Sequence, residues 1–115
     1  IQAREQNNIC SKAAIYIKNN FTDSNLSNTT IGSELGISAA YLSKLFKLQN
    51  GISLLDYMHR LRIDKAKDLL KYYDKNLEEI AQQTGFLASS ALIKAFKKYE
   101  GITPGAYRKQ IKVEQ

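Results

Sequence analysis

Apolar residues recur along this chain every three to four positions, and one stretch of that pattern occurs twice, about fifty residues apart. In the first copy Ile31 leads through Leu35, Gly36 and Ile37 to Leu42, Phe46, Lys47, Gly51, Ile52, Ser53 and Tyr57. In the second, Ile80 leads through Thr84, Gly85 and Phe86 to Leu92, Phe96, Lys97, Gly101, Ile102, Thr103 and Tyr107. The offset is 49 between Gly36 and Gly85 and 50 between Gly51 and Gly101, so one residue is inserted after Gly85, in a turn. A short helix, a Gly-marked turn and a longer helix form the pattern of a helix-turn-helix. Two copies predict two DNA-reading helices in one chain.

Local punctuation places the elements. Ile9, Ala13, Tyr16, Ile17 and Phe21 predict a bracing first helix from about residue 9. Ser27 is suited to cap the first positioning helix, with Leu26 and Ile31 as a hydrophobic staple, and Asn76 with Glu79 reads as a capping box for the second. The recognition helices are expected at about 38–50 and 88–100, closed by Gly51 and Gly101 in the left-handed position. Ser53 with Asp56, and Thr103 with Pro104 at the first helical position, open the helices that follow.

The helix after Gly51 carries two apolar faces. Leu54, Tyr57, Met58 and Leu61 share one, while Ile63, Ala66, Leu69, Leu70 and Tyr73 lie more than a quarter turn away. From Leu54 to about Tyr72 it would be roughly 28 Å long, comparable with the roughly 34 Å of one DNA turn, and so suited to space two recognition helices. The alternative is an ordinary central helix wrapped by a single bundle. The expectation is all-α: seven helices, two helix-turn-helix subdomains and a long linker helix. Residues 1–8 would be a linker or fragment edge, 9–53 subdomain one, 54–73 the linker helix, 74–109 subdomain two and 110–115 a tail.

Charge sharpens this picture. The 115 residues carry a net charge of +6, and the excess is local. Residues 1–37 balance to zero, 38–75 hold eight bases and four acids, 76–87 hold only Glu78 and Glu79, and 88–112 hold six bases against Glu100. Basic segments on and after each recognition helix would attract a phosphate backbone in a salt-dependent way. Cys10 stands alone, so neither a disulfide framework nor a cysteine metal cluster is available, and a reducing compartment, the cytoplasm, is the simplest setting. No apolar run is long enough to span a membrane, so no membrane partner is expected. The chain opens on Ile1, which reads as the edge of a fragment with a partner domain on its N-terminal side.

Enzyme chemistry is not expected. His59 has no second His or Cys at ligand spacing and reads as a solvated or phosphate-near side chain; the glycines are caps and turns rather than a phosphate loop. Tyr16, Tyr57, Tyr72, Tyr73 and Tyr107 read as core or core-edge, and Cys10 as a small half-buried residue. Neither a cofactor nor a metal is implied. The competing function is a basic helical interaction module that binds a protein partner or structured RNA; it would share the charge and the helices without needing two motifs in register.

The chain resembles the C-terminal DNA-binding domain of the AraC/XylS family of bacterial transcription regulators over about residues 9–109. Ile80-Ala81 through Gly85-Phe86, Phe96-Lys97-Lys98, Gly101-Ile102-Thr103-Pro104 and Tyr107-Arg108 carry most of the likeness. Tyr41-Leu42-Ser43, Leu45-Phe46-Lys47, Gly51, Tyr57, Leu61-Arg62-Ile63, Ala66 and Leu69-Leu70 carry the rest. The resemblance implies an activator that contacts RNA polymerase, with two recognition helices in successive major grooves of an asymmetric double-stranded DNA site. It also implies an N-terminal effector, dimerisation or receiver domain in the full-length protein.

Carried over by position, the base-reading face of the first recognition helix offers Ala39, Ala40, Ser43, Lys44 and Lys47, and that of the second Ser89, Ser90, Ile93 and Lys94. Lys44 and Lys94 can donate to guanine and Ser43 to several base edges, while Ala40 offers only apolar contact. Phosphate contacts are expected from Lys47, Lys97, Lys98 and Arg108, and from backbone amides near Asn28 and Leu77. Neither of these faces offers Arg, Asn or Gln for bidentate pairing, so DNA shape and dimerisation are expected to supplement a thin direct readout. Three departures from the family stand out. Gly32 replaces a usual Ala at a cost of about 1 kcal/mol in helix propensity. Ala88 replaces a common Asp cap worth about 1 kcal/mol, and Leu92 replaces a common Phe.

Overall fold

The computed structural model describes residues 3–114, which form seven α-helices and no strand among the described residues. They are α1 (Ala3–Asn20), α2 (Asn28–Leu35), α3 (Ala39–Asn50), α4 (Leu54–Tyr72), α5 (Leu77–Thr84), α6 (Ser89–Glu100) and α7 (Pro104–Glu114). The chain divides into two compact units inside α4, between Met58 and His59.

In the first unit α1, α2 and α3 pack on one another. Ala13 and Ile17 of α1, Ile31 of α2, Leu42 and Phe46 of α3, and Leu54 and Met58 of α4 are all 1% exposed or less. Each large side chain so buried stabilises the fold by about 1.5–3 kcal/mol. The Tyr57 ring tilts against Phe46 with centroids 5.5 Å apart. Ser27 caps α2: its Oγ accepts from Thr30 N–H, the Thr30 hydroxyl accepts from Ser27 N–H at 2.9 Å, and Leu26 and Ile31 are buried as the staple requires. The two-way capping box thus forms here and not at α5, where the sequence places it: Asn76 accepts from Glu79 N–H at 2.9 Å, and no Glu79 side-chain bond returns to Asn76.

In the second unit Ile63, Ala66, Leu69 and Leu70 of α4 join Ile80, Ala81, Phe86, Leu92, Ala95 and Phe96 in one core, with Leu77, Tyr99 and Tyr107 packed on it. The two apolar faces of α4 therefore serve two cores. Pro104 opens α7 fully buried, with the Thr103 hydroxyl accepting from Ala106 N–H at 3.1 Å. Ser53 Oγ caps α4 in the same way, accepting from Asp56 N–H at 3.0 Å.

Three further expectations need adjustment. The first helix begins at Ala3, not near residue 9, because Arg4, Glu5 and Gln6 are strong helix formers and Glu5 favours the first turn. The expected tail is helical as far as Glu114; residues 1, 2 and 115 lie outside the described residues. Tyr73 falls beyond α4, and Tyr72 and Tyr73 are exposed rather than core, since the buried face of α4 ends at Leu70. Tyr72 instead lies under the Lys71 ammonium, 5.3 Å from its ring centroid.

Candidate nucleic-acid interface

Both motifs orient the recognition helix in the same way. The positioning helix ends in a left-handed glycine, Gly36 with φ 74° and Gly85 with φ 97°, a conformation that costs a residue bearing Cβ about 1–2 kcal/mol. The next amide then folds back, Ile37 N–H onto the Gly32 carbonyl and Phe86 N–H onto the Ala81 carbonyl, each at 2.9 Å. Burial of Leu42 and Phe46 in α3, and of Leu92 and Phe96 in α6, at 0% exposure fixes the rotation of each helix about its axis. The opposite stripes are left outward.

The two turns differ in length. The first occupies residues 36–38, the second 85–88. The shorter turn runs close against α2: a Cβ on Gly32 would lie 2.7 Å from the Ile37 carbonyl oxygen and 3.3 Å from Ala39 N. The matching residue of the longer motif is Ala81, which is buried without difficulty. In the longer motif α4 holds the turn. The Arg62 guanidinium lies 5.7 Å from the Phe86 ring centroid, and the His59 ring sits 5.7 Å from Phe86 and 6.0 Å from Tyr99. His59 is thus a half-buried packing residue rather than a solvated one, and Arg62, counted above among the bases, is 6% exposed and points into the protein.

The outward stripes match residue for residue. On α3, Ala40, Lys44 and Lys47 are exposed, with Ser43 and Ala39 half-buried beside them; on α6, Ser90, Lys94, Lys97 and Lys98 are exposed, with Ser89 and Ile93 half-buried. Spacings of three and four put each set on one helix face. Ser38 caps α3 by accepting from Tyr41 N–H at 3.1 Å, but Ala88 makes no side-chain cap for α6.

The expected phosphate contacts divide. Lys47, Lys97 and Lys98 are exposed, and the Lys98 ammonium lies 5.4 Å from the Tyr99 ring centroid. Arg108 is half-buried and donates from Nη2 to the Lys75 carbonyl at 2.6 Å, tying α7 to the α4–α5 connection. Leu77 opens α5 with its side chain packed on the core. Asn28 opens α2 with its side chain turned to α3, where Nδ2 donates to Ser43 Oγ at 2.9 Å.

Two exposed leucines in the recognition motifs themselves escape sequence reasoning. Leu48 is 74% exposed and joins Ser43, Lys44, Lys47, Gly51 and Ser53 around a shallow open hollow. Leu87, in the longer turn, is 80% exposed beside Glu78, Gln82, Ala88 and Ser89. The signal for Leu87 was its place next to the inserted residue, where no core position exists for it.

Cys10 is buried, and burial pushes its thiol above the ordinary value of 9.0, which makes it a poor nucleophile. Among the described residues no cluster of three or more His, Cys, Asp or Glu could hold a metal, and no helix is long and apolar enough to cross a membrane.

Residues 31–110 match the helix-turn-helix domain family. The chain is 38% identical over 96 residues to the uncharacterized HTH-type transcriptional regulator YtdP of Bacillus subtilis, covering 84% of this chain and 12% of YtdP. It spans 30–33% of the length of three further bacterial regulators. Among solved structures it is similar to the C-terminal domain of the two-component response regulator yesN from Fusobacterium nucleatum, with 38% identity, a TM-score of 0.80, and coverage of 84% of this chain and 93% of that one. The C-terminal domain of AraT, a response regulator from Geobacillus stearothermophilus, aligns at 32% identity and a TM-score of 0.85 over 89% of this chain and 84% of that one. Regulatory relatives of this kind, two motifs in register and two basic stripes agree: the chain belongs to the helix-turn-helix domain family, as a DNA-binding transcription-regulator domain related to the AraC/XylS type.

Proposed function

We propose that the chain is a member of the AraC/XylS family proper and reads duplex DNA as a bipartite domain, with α3 and α6 each entering a major groove of one asymmetric site of about two turns. The observation that carries this reading is the pair of matched stripes, Ala40, Ser43, Lys44, Lys47 and Ser90, Ile93, Lys94, Lys97, each opposite a fully buried Leu and Phe. Lys44 and Lys94 donate to guanine O6 and N7; Ser43, Ser89 and Ser90 bond to base edges; Ala39, Ala40 and Ile93 touch thymine methyls. Lys47, Lys97 and Lys98, with the backbone amides opening α2 at Asn28 and α5 at Leu77, hold phosphates. Arg108 leaves this group, since its guanidinium is engaged by Lys75.

The full-length protein would be a bacterial cytoplasmic activator that touches RNA polymerase. Because yesN and AraT are response regulators, a receiver domain is the favoured N-terminal partner over a ligand-binding domain. Selection of binding sites from random duplex DNA, followed by titration of the winner across salt, tests the core of the proposal. Two half-motifs about one helical turn apart, in a non-palindromic order, are the expected result. Binding without enrichment, decaying only with salt, would reduce the domain to an electrostatic binder.

A further inference from the structure

The Asn28–Ser43 hydrogen bond joins the first residue of α2 to the exposed stripe of α3, fifteen residues on, at 2.9 Å. At the matching positions of the other motif stand Leu77 and Ile93, an apolar pair, with Leu77 packed on its core. Asn28 is therefore not needed to start a positioning helix or to seat it, because a leucine does both in α5. What Asn28 adds is polarity. A serine hydroxyl can donate one hydrogen bond and accept two. With Asn28 Nδ2 donating to Ser43 Oγ, one of the two lone pairs is occupied and the hydroxyl proton, which Asn28 does not take, remains to be donated.

We infer that Asn28 is a specificity-positioning residue: by occupying one Ser43 lone pair it biases the hydroxyl towards donating, so that the first recognition helix prefers acceptor edges at the base facing Ser43. This inference rests on the proposed reading of α3 as a base-reading helix. The edges that fit are guanine O6 and N7, adenine N7 and thymine O4; cytosine, which presents only the N4 amino donor, is disfavoured. In α6 the same step is read by Ile93, which senses shape or a methyl group and no hydrogen-bond polarity.

The test is site selection from random duplex DNA with four versions of the chain: unchanged, Ser43→Ala, Asn28→Leu and Asn28→Asp, with thermal melting of each. Asn28→Leu copies the other motif and so keeps the helix start. It should flatten the preference at one base step of the first half-site, by about three- to tenfold, at the same step that Ser43→Ala flattens. Asn28→Asp reverses the polarity, because a carboxylate accepts the Ser43 proton. Ser43 then accepts from a base, and cytosine, which the unchanged chain disfavours, should be gained at that step. The added negative charge will weaken binding to all sequences alike, which is separable from the change of preference.

If Asn28→Leu lowers affinity equally for every sequence, or Asn28→Asp selects the same base as the unchanged chain, Asn28 is merely structural and the inference falls while base reading by α3 stands. If the unchanged chain selects no first half-site, base reading by α3 falls, and the inference with it.

Discussion

The Arg108 guanidinium donates to the carbonyl oxygen of Lys75 at 2.6 Å, closing α7 onto the connection between α4 and α5. A charged donor on a half-buried carbonyl is worth about 1.5–3 kcal/mol. Replacing Arg108 by Met should therefore cost about that much stability in the second unit, read by chemical denaturation. It should leave the salt dependence of DNA binding nearly unchanged. Lys97→Ala should do the reverse, with little effect on stability but a reduction of roughly 0.9 in the slope of log K against log salt. Equal slope changes for both variants would return Arg108 to the phosphate backbone.

The start of α6 lacks the cap that α3 has. Ser38 accepts from Tyr41 N–H, while Ala88 offers no side-chain oxygen. Hydrogen exchange in the free domain should find amides 88–92 less protected than 40–46. Ala88→Ser should slow that exchange and raise stability by about 1 kcal/mol. Equal protection of the two segments in the unchanged chain would mean that packing of Leu92 alone holds the helix start.

Gly32 is required by the shorter turn. Alanine there gains about 1 kcal/mol of helix propensity but places a methyl 2.7 Å from the Ile37 carbonyl, and such overpacking costs about 1–3 kcal/mol. We expect Gly32→Ala to destabilise the first unit by about 1 kcal/mol and to shift α3, lowering specific more than non-specific DNA affinity. Ala81→Gly in the second unit should lose stability for the opposite reason, a missing methyl in a full core.

The Lys67 ammonium bonds Glu100 at 2.8 Å and lies 5.8 Å from the Tyr107 ring centroid, linking α4, α6 and α7. That hydrogen bond, more than any other cause, raises the Lys67 pKa above its usual 10.5. A raised folded value means the contribution is complete below about pH 10.5 and is lost as pH climbs through the folded value. Being about a third exposed, the pair is worth less than about 1 kcal/mol. Melting curves of Lys67→Met and the unchanged chain should therefore differ slightly and constantly from pH 7 to 9, then converge under strong alkali. A difference that grows with pH would contradict this sign.

Much of this arrangement was legible because helical periodicity and capping are local. Leu54 and Met58 against Ile63, Ala66 and Leu70 announced two cores on one helix, and Ser27, Gly36, Gly85 and Pro104 marked their helix ends as physics requires. What stayed hidden depends on residues far apart in sequence. Nothing near Arg62 says that Phe86 will draw it inward, nothing near Arg108 names Lys75, and the Asn28–Ser43 bond needs the turn between α2 and α3 to be closed first. Gly32 was visible as a departure, but its reason, the approach of the Ile37 carbonyl, exists only in three dimensions.

The boundary between the two units falls within α4 rather than in a loop. Opening either unit would strip apolar support from one half of this helix and create a new end with about four unsatisfied amides or carbonyls. Short helices without packing are marginal in water, so the remaining half would tend to unwind with it. The two units thus share a stretch of backbone whose hydrogen bonds make their opening cooperative.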